Sequence, residues 1–331
     1  MAAQSRRRFL GSVVAFAALP AAARPAPAAL TFLAAADVHY RPGVFPHDDR
    51  DWMLRILERG RAAKAAFAIQ LGDFAHAARR DRAFIDAFND HPLPTRHVIG
   101  NHDDDGGPHR ETLEACRLAR GWYGFDAGSF RFLVLDTNYA CLDGRFVHYG
   151  RDAGFSPYRI PREARMRLAP EQLEWLKGEL NASPFPCVVC AHRRLDDGSP
   201  DAGPVGALIA AANAAHPGRV RLVLNGHNHC DSFRVRDGVL WYTVNSPNHC
   251  WVSRRHAAYP PEDMARWKLI DHVIAYDTPL SALITLHPDG RIAIDGMEGR
   301  FWRGITPAQA GFPASITASI RSRDCNPLAG S

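Results

Sequence analysis

Lysine is nearly absent from this chain: of 40 basic residues, 37 are arginine, and Lys64, Lys177 and Lys268 are the remainder. That bias follows genome base composition and points to no function. Cysteine is sparse as well. Cys116, Cys141, Cys187, Cys190, Cys230, Cys250 and Cys325 show no regular spacing, which argues against a disulfide framework. Cys187 and Cys190, in "CVVC", fall in a strand-like run that separates them by about 10 Å on opposite faces, so they read as buried thiols rather than a redox pair or zinc hook. There is no G-x-S-x-G elbow and no Walker Gly-Lys pair, which removes the nucleophile-elbow hydrolases and the P-loop enzymes. No internal repeat occurs, and no low-complexity tract beyond an Ala/Pro leader. What is present is ordinary: 331 residues, 46% hydrophobic and 23% charged, enough for a large buried core.

The N-terminus stands apart. "SRRRFLGSVVAFAALPAAARPAPA" places Ser5, Arg6, Arg7, Arg8, Phe9 and Leu10 before an Ala-rich apolar run too short and too weakly apolar to span a bilayer. The pattern resembles a bacterial twin-arginine signal, which implies the twin-arginine export machinery as a partner and a periplasmic or secreted destination. A plain N-terminal anchor is the alternative. Cleavage after Ala23 or after Ala28 fits equally, and residues 1–28 are taken as leader, with 29–331 as one domain. Removing four arginines and no acids lowers the formal charge from +5 to +1, with 36 basic against 35 acidic residues. The basicity therefore belongs to the leader, and no nucleic-acid surface is evident. No transmembrane segment is expected in the mature chain.

Apolar runs at Leu30–Ala36, Ala66–Leu71, Arg96–Gly100, Phe130–Asp136, Cys187–Ala191 and Arg221–Asn225 predict buried strands. Between them, "DDRDWMLRILERG" predicts a helix with Met53, Ile56 and Leu57 on one face and Gly60 as C-cap. "RDRAFIDAFND" and "PEQLEWLKGEL" follow the same logic, the latter with Pro170 at its first position and Leu173, Leu176 and Leu180 as the apolar stripe. The later chain is richer in strand, with hairpins about Asp237-Gly238 and Asp289-Gly290. This alternation predicts an α/β fold with functional residues on loops at the C-terminal ends of strands. Long loops are expected at 137–169 and 246–278, acting as lids.

Each strand end carries chemistry. "AADVHY" supplies Asp37 and His39, "LGDFAH" Asp73, "IGNHDDD" Asn101 and His102, "VVCAHRR" His192, and "LNGHNHC" His227 and His229. Any one of these is turn chemistry. Five in succession, offering carboxylate, imidazole and amide but no thiolate, suit Mn, Fe or Zn at a working site rather than a structural zinc. His227 and His229 either converge on one centre or serve two neighbouring ones.

The ordered set D-x-H, G-D, G-N-H-D, a lone His and G-H-x-H resembles the calcineurin-like metallophosphoesterase family, over roughly Leu30 to Cys230. The resemblance implies two mixed β-sheets packed face to face and flanked by helices, a four-layer sandwich. It implies two metal ions, one on Asp37, His39 and His229, the other on Asn101, His192 and His227, with Asp73 between them. His102 then faces the substrate as general acid, with Asp103 expected to orient its ring and Asp104 and Asp105 expected to be a solvated turn. Two divalent ions less two carboxylates leave a charge of about +2, or +1 with a bridging hydroxide, suited to an anionic ester. The implied activity is hydrolysis of a small phosphorylated substrate, monoester or diester. The alternatives are a metal-binding protein of the same fold without turnover, and a nuclease.

The chain departs from the family after His192, where Arg193, Arg194 and Leu195 replace a proline-containing loop; either arginine is a candidate phosphate contact. Of the remaining histidines, His47, His76, His109 and His148 are expected at the surface or behind the ligands, and His249 is a candidate substrate contact. The leader yields a direct test. Changing Arg6 and Arg7 together to Lys is expected to leave folded protein in the cytoplasm, and unaltered export of that variant would point to the general secretory route.

Overall fold

The computed structural model describes residues 28–148, 160–161, 163–196, 198–252 and 254–330. The expected twin-arginine motif lies outside these residues. Two six-stranded sheets form the centre. The first runs in the order β18 (Arg323–Cys325), β15 (Ile292–Asp295), β14 (Ala282–Leu286), β1 (Leu30–Ala35), β2 (Ala68–Gln70) and β3 (Thr95–His97). The second runs β10 (Ser232–Arg236), β11 (Val239–Thr243), β9 (Val220–Asn225), β8 (Cys187–Ala191), β5 (Phe130–Leu135) and β4 (Tyr123–Ala127). Both are mixed: β1, β2 and β3 are parallel, as are β5, β8, β9 and β11, whereas β14 and β4 join antiparallel.

The continuous apolar runs have a simple cause, since these strands are buried on both faces. Phe32, Ala34 and Ile69 meet Phe132, Val134, Val188, Leu222 and Tyr242 between the sheets. Their neighbours in sequence point outward. Leu33, Ala35 and Ala68 pack under helices α1 (Asp49–Ala62) and α2 (Arg82–Asn89), through Met53, Leu57, Phe84 and Phe88. Leu133, Val189 and Val223 pack under α4 (Pro170–Ala182) and α5 (Ala202–Ala215), through Leu176, Leu180, Val205 and Ile209. Together these make four layers, α/β/β/α. A shorter helix, α3 (His109–Ala115), follows β3.

Several expectations are revised. Gly60 is not a cap but an inner residue of α1, where a Cβ would come within 2.8 Å of Leu93 Cδ2 and 3.2 Å of Leu33 Cβ, so glycine lets the helix approach the sheet. The segment 137–169 holds the hairpin β6 (Tyr139–Leu142) and β7 (Arg145–His148), and 246–278 holds β12 (His249–Trp251), α6 (Pro261–Arg266) and β13 (Val273–Ala275). β16 (Met297–Glu298) and β17 (Ser319–Ile320) form one more pair. Cys187 and Cys190 are buried free thiols. Among the described residues no helix is long and apolar enough to cross a membrane.

Behind the strand ends, Gln70 ties β2 to β3. Its Nε2 donates to Val98 O and to His97 Nδ1, both at 2.9 Å, while His97 Nε2 donates to Asn89 Oδ1 at 2.7 Å. Burial, reinforced by Arg117 and Arg96, pushes the His97 imidazole down to about 3, so the folded chain refuses a proton that the unfolded chain accepts. This stability is complete above the ordinary histidine value and is lost as pH falls from about 6.5 toward 3, at up to about 1.4 kcal/mol per pH unit. His97→Gln keeps a donor and an acceptor but cannot titrate. Urea unfolding at pH 7.5, 6 and 5 should show a smaller loss for the variant than for the wild type, and parallel losses would remove His97 from the account.

Candidate metal centre

The parallel strands of both sheets end at one crest, and the polar residues after them meet there. Asp37 and His39 follow β1, Asp73 follows β2, Asn101 and His102 follow β3, His192 follows β8, and His227 and His229 follow β9. Five of these are in left-handed backbone: Asp37 (φ 57°), His39 (49°), Asp73 (52°), His227 (68°) and His229 (46°). Non-glycine residues are uncommon there, and clusters of them mark functional sites. His227 and His229 therefore reach the site through turns beyond the strand and not by strand alternation. Gly226 permits this, since a Cβ would lie 2.7 Å from both Ala36 Cβ and Asp37 Oδ2.

Asp73 sits at the middle. Its Oδ1 accepts the His102 backbone N–H at 2.7 Å, while Oδ2 lies 3.1 Å from His192 Nε2 and 3.7 Å from His39 Nε2. On one side, His192 Nε2 is also 3.2 Å from Asn101 Oδ1 and 3.1 Å from His227 Nδ1. On the other, His39 Nε2 is 3.2 Å from His229 Nε2, which is 3.6 Å from Asp37 Oδ1. The two histidines of "GHNH" are thus divided, one to each side. Donor atoms of Asp37, His39 and Asp73, and of Asp73, His192 and His227, form two groups compact enough for a metal ion each.

The remote ring nitrogens decide where the lone pairs point. His192 Nδ1 donates to Leu71 O at 2.8 Å and His229 Nδ1 to His249 O at 3.0 Å. His39 Nδ1 is 3.0 Å from His76 Nε2, and His76 Nδ1 lies 3.1 Å from Asp105 Oδ2 and 2.9 Å from Arg41 Nη2. The Nε2 atoms of His39, His192 and His229 face one another and carboxylate and amide oxygens, a ring of potential ligand atoms that suits a cation. Burial holds His39 and His227 well below the usual histidine range and His229 down to about 4, so these rings are neutral as ligands must be. Burial raises the Asp37 carboxyl to about 8, so it ionises at neutral pH when a positive ion is beside it. His192 resists its burial and rises to about 9 because Asp73 is adjacent; the carboxylate asks for positive charge there.

Around this core the structure redistributes the expected roles. Asp103 does not hold His102. Its Oδ1 accepts the N–H groups of Phe74 (2.7 Å) and Ala75 (2.9 Å), and its Oδ2 those of Gly100 (2.7 Å) and Asp73 (3.1 Å), tying the β2 and β3 loops together. Asp105 is the partner: although exposed on the turn as expected, its Oδ2 is 2.7 Å from His102 Nδ1, whereas the Asp104 side chain is 6% exposed and is not solvated. Arg194 pairs with Asp196 at 2.8 Å, Arg193 reaches the Met166 sulfur, and neither lines the cleft. The cleft, about 730 Å³, is instead flanked by Arg41 and Arg165, with Phe45, Met166, Trp251 and Leu269 as its apolar wall.

His249 is fully buried, its ring 4.9 Å from that of His229 and 5.6 Å from that of His39, with neither ring nitrogen hydrogen-bonded; it stands with the ligands at the cleft wall. His76, three residues after Asp73 in "GDFAH", stands behind the ligands as expected, against His39 Nδ1. Nothing in the sequence marks Arg41 or Arg165. His47 packs on Trp52 and pairs with Asp49 at 2.7 Å, and His109 and His148 are buried in a separate cluster rather than at the surface.

A sequence model of calcineurin-like phosphoesterases matches residues 30–231. No curated protein matches significantly. Among solved structures, a dimetal phosphatase from Danio rerio superposes with a TM-score of 0.55 at 16% identity, over 82% of this chain and 98% of its own. GAP50, the anchor in the inner membrane complex of Plasmodium, gives 0.50 at 12% identity over 81% and 84%. At such identities both show the shared fold. The central position of Asp73 can be tested directly: Asp73→Ala is expected to lose both metal equivalents, by elemental analysis, where His39→Ala loses one. Retention of two ions by Asp73→Ala would refute the bridging position.

Proposed function

Because the chain belongs to the calcineurin-like phosphoesterase family, we propose that it is an exported, metal-dependent hydrolase of small phosphate esters whose working residues are those gathered about Asp73. Asp37, His39 and His229 would hold one ion and Asn101, His192 and His227 the other, with Asp73 shared; when bound, the pair supplies electrophilic activation of phosphate and water. The donor set suits Mn, Fe or Zn. The observation that carries the reading is Asp73 Oδ2, faced from two sides by imidazole nitrogens with its other oxygen already engaged. Export rests on the Arg6–Arg7 leader pattern.

The protein's own part is to bind, orient and deliver a proton. Arg41 and Arg165 flank the cleft and attract an anionic ester, and the Trp251 side chain offers a flat apolar surface to its organic part. Water adds to phosphorus, the ester P–O bond breaks, and the departing oxygen takes a proton. His102 is placed to give it. The ring sits at the cleft with Nδ1 donating to Asp105, which leaves Nε2–H as the transferable proton. Burial opposes the charged ring, but Asp73 and Asp105 outweigh it and raise His102 above the ordinary histidine value, which favours the proton-loaded ring.

His102→Asn should keep both metals yet lose about 10²- to 10⁴-fold in rate, about 3 to 5 kcal/mol of barrier. The deficit should shrink for nitrophenyl esters, whose leaving oxygen departs readily as an anion. Assays of the metal-reconstituted mature protein on paired mono- and diesters with good and poor leaving groups would measure this and assign the preferred ester. A deficit equal on both leaving groups would mean that His102 positions phosphate and is not the acid, and no turnover of any ester would favour a binding protein of this fold.

A further inference from the structure

An unpaired imidazole is buried beside the crest. His249 opens β12 and is wholly buried, yet among the described residues neither its Nδ1 nor its Nε2 has a hydrogen-bond partner. A neutral ring carries one N–H donor and one acceptor nitrogen, and burying both without partners is costly. Its neighbours narrow what could claim it. Phe45 packs on one side with ring centroids 4.8 Å apart and offers nothing polar. On the other side stand His229 at 4.9 Å and His39 at 5.6 Å. One ring nitrogen from each of His39, His229 and His249 lies within 4.8 Å of the other two, compact enough to converge on one ion.

The backbone holds this ring in place. Ser246 and Asn248 bind the carbonyl oxygens of Asp37 and Val38, and β12 pairs with β13 through His249 and Ala275. The His249 carbonyl oxygen also accepts the His229 Nδ1 proton at 3.0 Å. One residue therefore orients a ligand by its backbone and brings its own ring to the same side of Asp73. The ring lines the cleft wall but has no exposed surface, which suits a metal ligand better than the substrate contact expected from the sequence. The family match ends at residue 231, so the likeness gives His249 no role.

We propose that His249 is a further ligand of the ion assigned to Asp37, His39, Asp73 and His229, supplied by a segment beyond the family-matched region. The inference rests on the paired metal centre proposed for this chain. It makes the two positions unequal. Three imidazoles and two carboxylates face one ion, whereas two imidazoles, an amide and the shared carboxylate face the other. Imidazole suits Zn and Fe, and oxygen donors suit Mn. The ion beside His249 is thus the tighter held, and the ion beside Asn101 the exchangeable one.

The test uses the mature protein, stripped with chelator and titrated with Co²⁺ against a competing chelator, with proton NMR to count the contact-shifted N–H signals of ligated imidazoles. Wild type should bind two ions with unequal dissociation constants. His249→Phe keeps the packing on Phe45 and the backbone carbonyl but removes the ring nitrogens. It should raise the smaller constant by at least the roughly 10- to 100-fold that loss of an outer-shell partner costs, and one shifted N–H signal should vanish. His249→Gln should lose the same signal with a smaller change in affinity, and it decides the question should His249→Phe fail to fold. Unchanged constants with an unchanged number of shifted signals would overturn the proposal, even if turnover fell, and would return His249 to the substrate. A wild type that takes up a single ion, weakened in both variants, would uphold the ligand and refute the pairing. Uptake of no ion would refute both.

Discussion

The Asp73 carboxylate is the constraint around which the rest is arranged. One oxygen is fixed by the His102 backbone N–H and the other is surrounded by atoms that would repel it or one another were there no positive charge among them. Burying such a group is costly unless it is paired. The fold meets this by bringing five strand ends, from two sheets, to one crest. Neither sheet has the whole set: β1, β2 and β3 give Asp37, His39, Asp73 and Asn101, while β8 and β9 give His192, His227 and His229. The face-to-face packing of Phe32 and Ile69 on Phe132, Val188 and Leu222 therefore sets the distance between the two halves of the site.

The loops at the crest are strained and tied down at once. A left-handed non-glycine residue costs about 1 to 3 kcal/mol and persists only where the surroundings enforce it. Here the enforcement is visible. Ser246 Oγ donates to Asp37 O at 2.9 Å and Asn248 Nδ2 to Val38 O at 2.6 Å, so the chain after β11 pins the first loop. The His227 N–H donates to Asp37 Oδ2 at 2.8 Å, joining the first loop to the last, and Asp103 joins the second to the third. Each loop is held by another loop, which gives the side chains fixed positions on backbone that would otherwise relax.

The turn after Asn101 shows how three like residues acquire three tasks. Asp103 faces inward and gathers four backbone N–H groups. Asp104 faces the His109–His148 cluster. Asp105 faces the cleft and serves both His102 and His76. Their difference is direction: successive residues of a tight turn point to different sides, so three identical carboxylates meet backbone, buried imidazole and cleft in turn.

Much of this was legible before any coordinates. Runs such as Leu30–Ala36 and Cys187–Ala191 are apolar throughout because both faces of those strands are buried, and that signal is local. The residues after them were equally legible, because turn positions that carry Asp, Asn and His in a fixed order are also local features. Asp103 and Asp105 could not be told apart, since adjacent acids in "HDDD" have the same composition and differ only in the direction the folded turn imposes. Arg193 and Arg194 drew notice by adjacency to His192, yet Asp196 claims Arg194, and the cleft takes Arg41 and Arg165 from distant parts of the chain. His109 and His148, 39 positions apart, carry no shared pattern and meet only because β7 folds over α3. The sequence by itself determined the central strands, the α/β alternation and the donor types at the strand ends, because burial and turn chemistry act on neighbours along the chain. Which donors face one another was decided by tertiary structure alone, because it depends on how two sheets and their loops pack, and that geometry has no local trace.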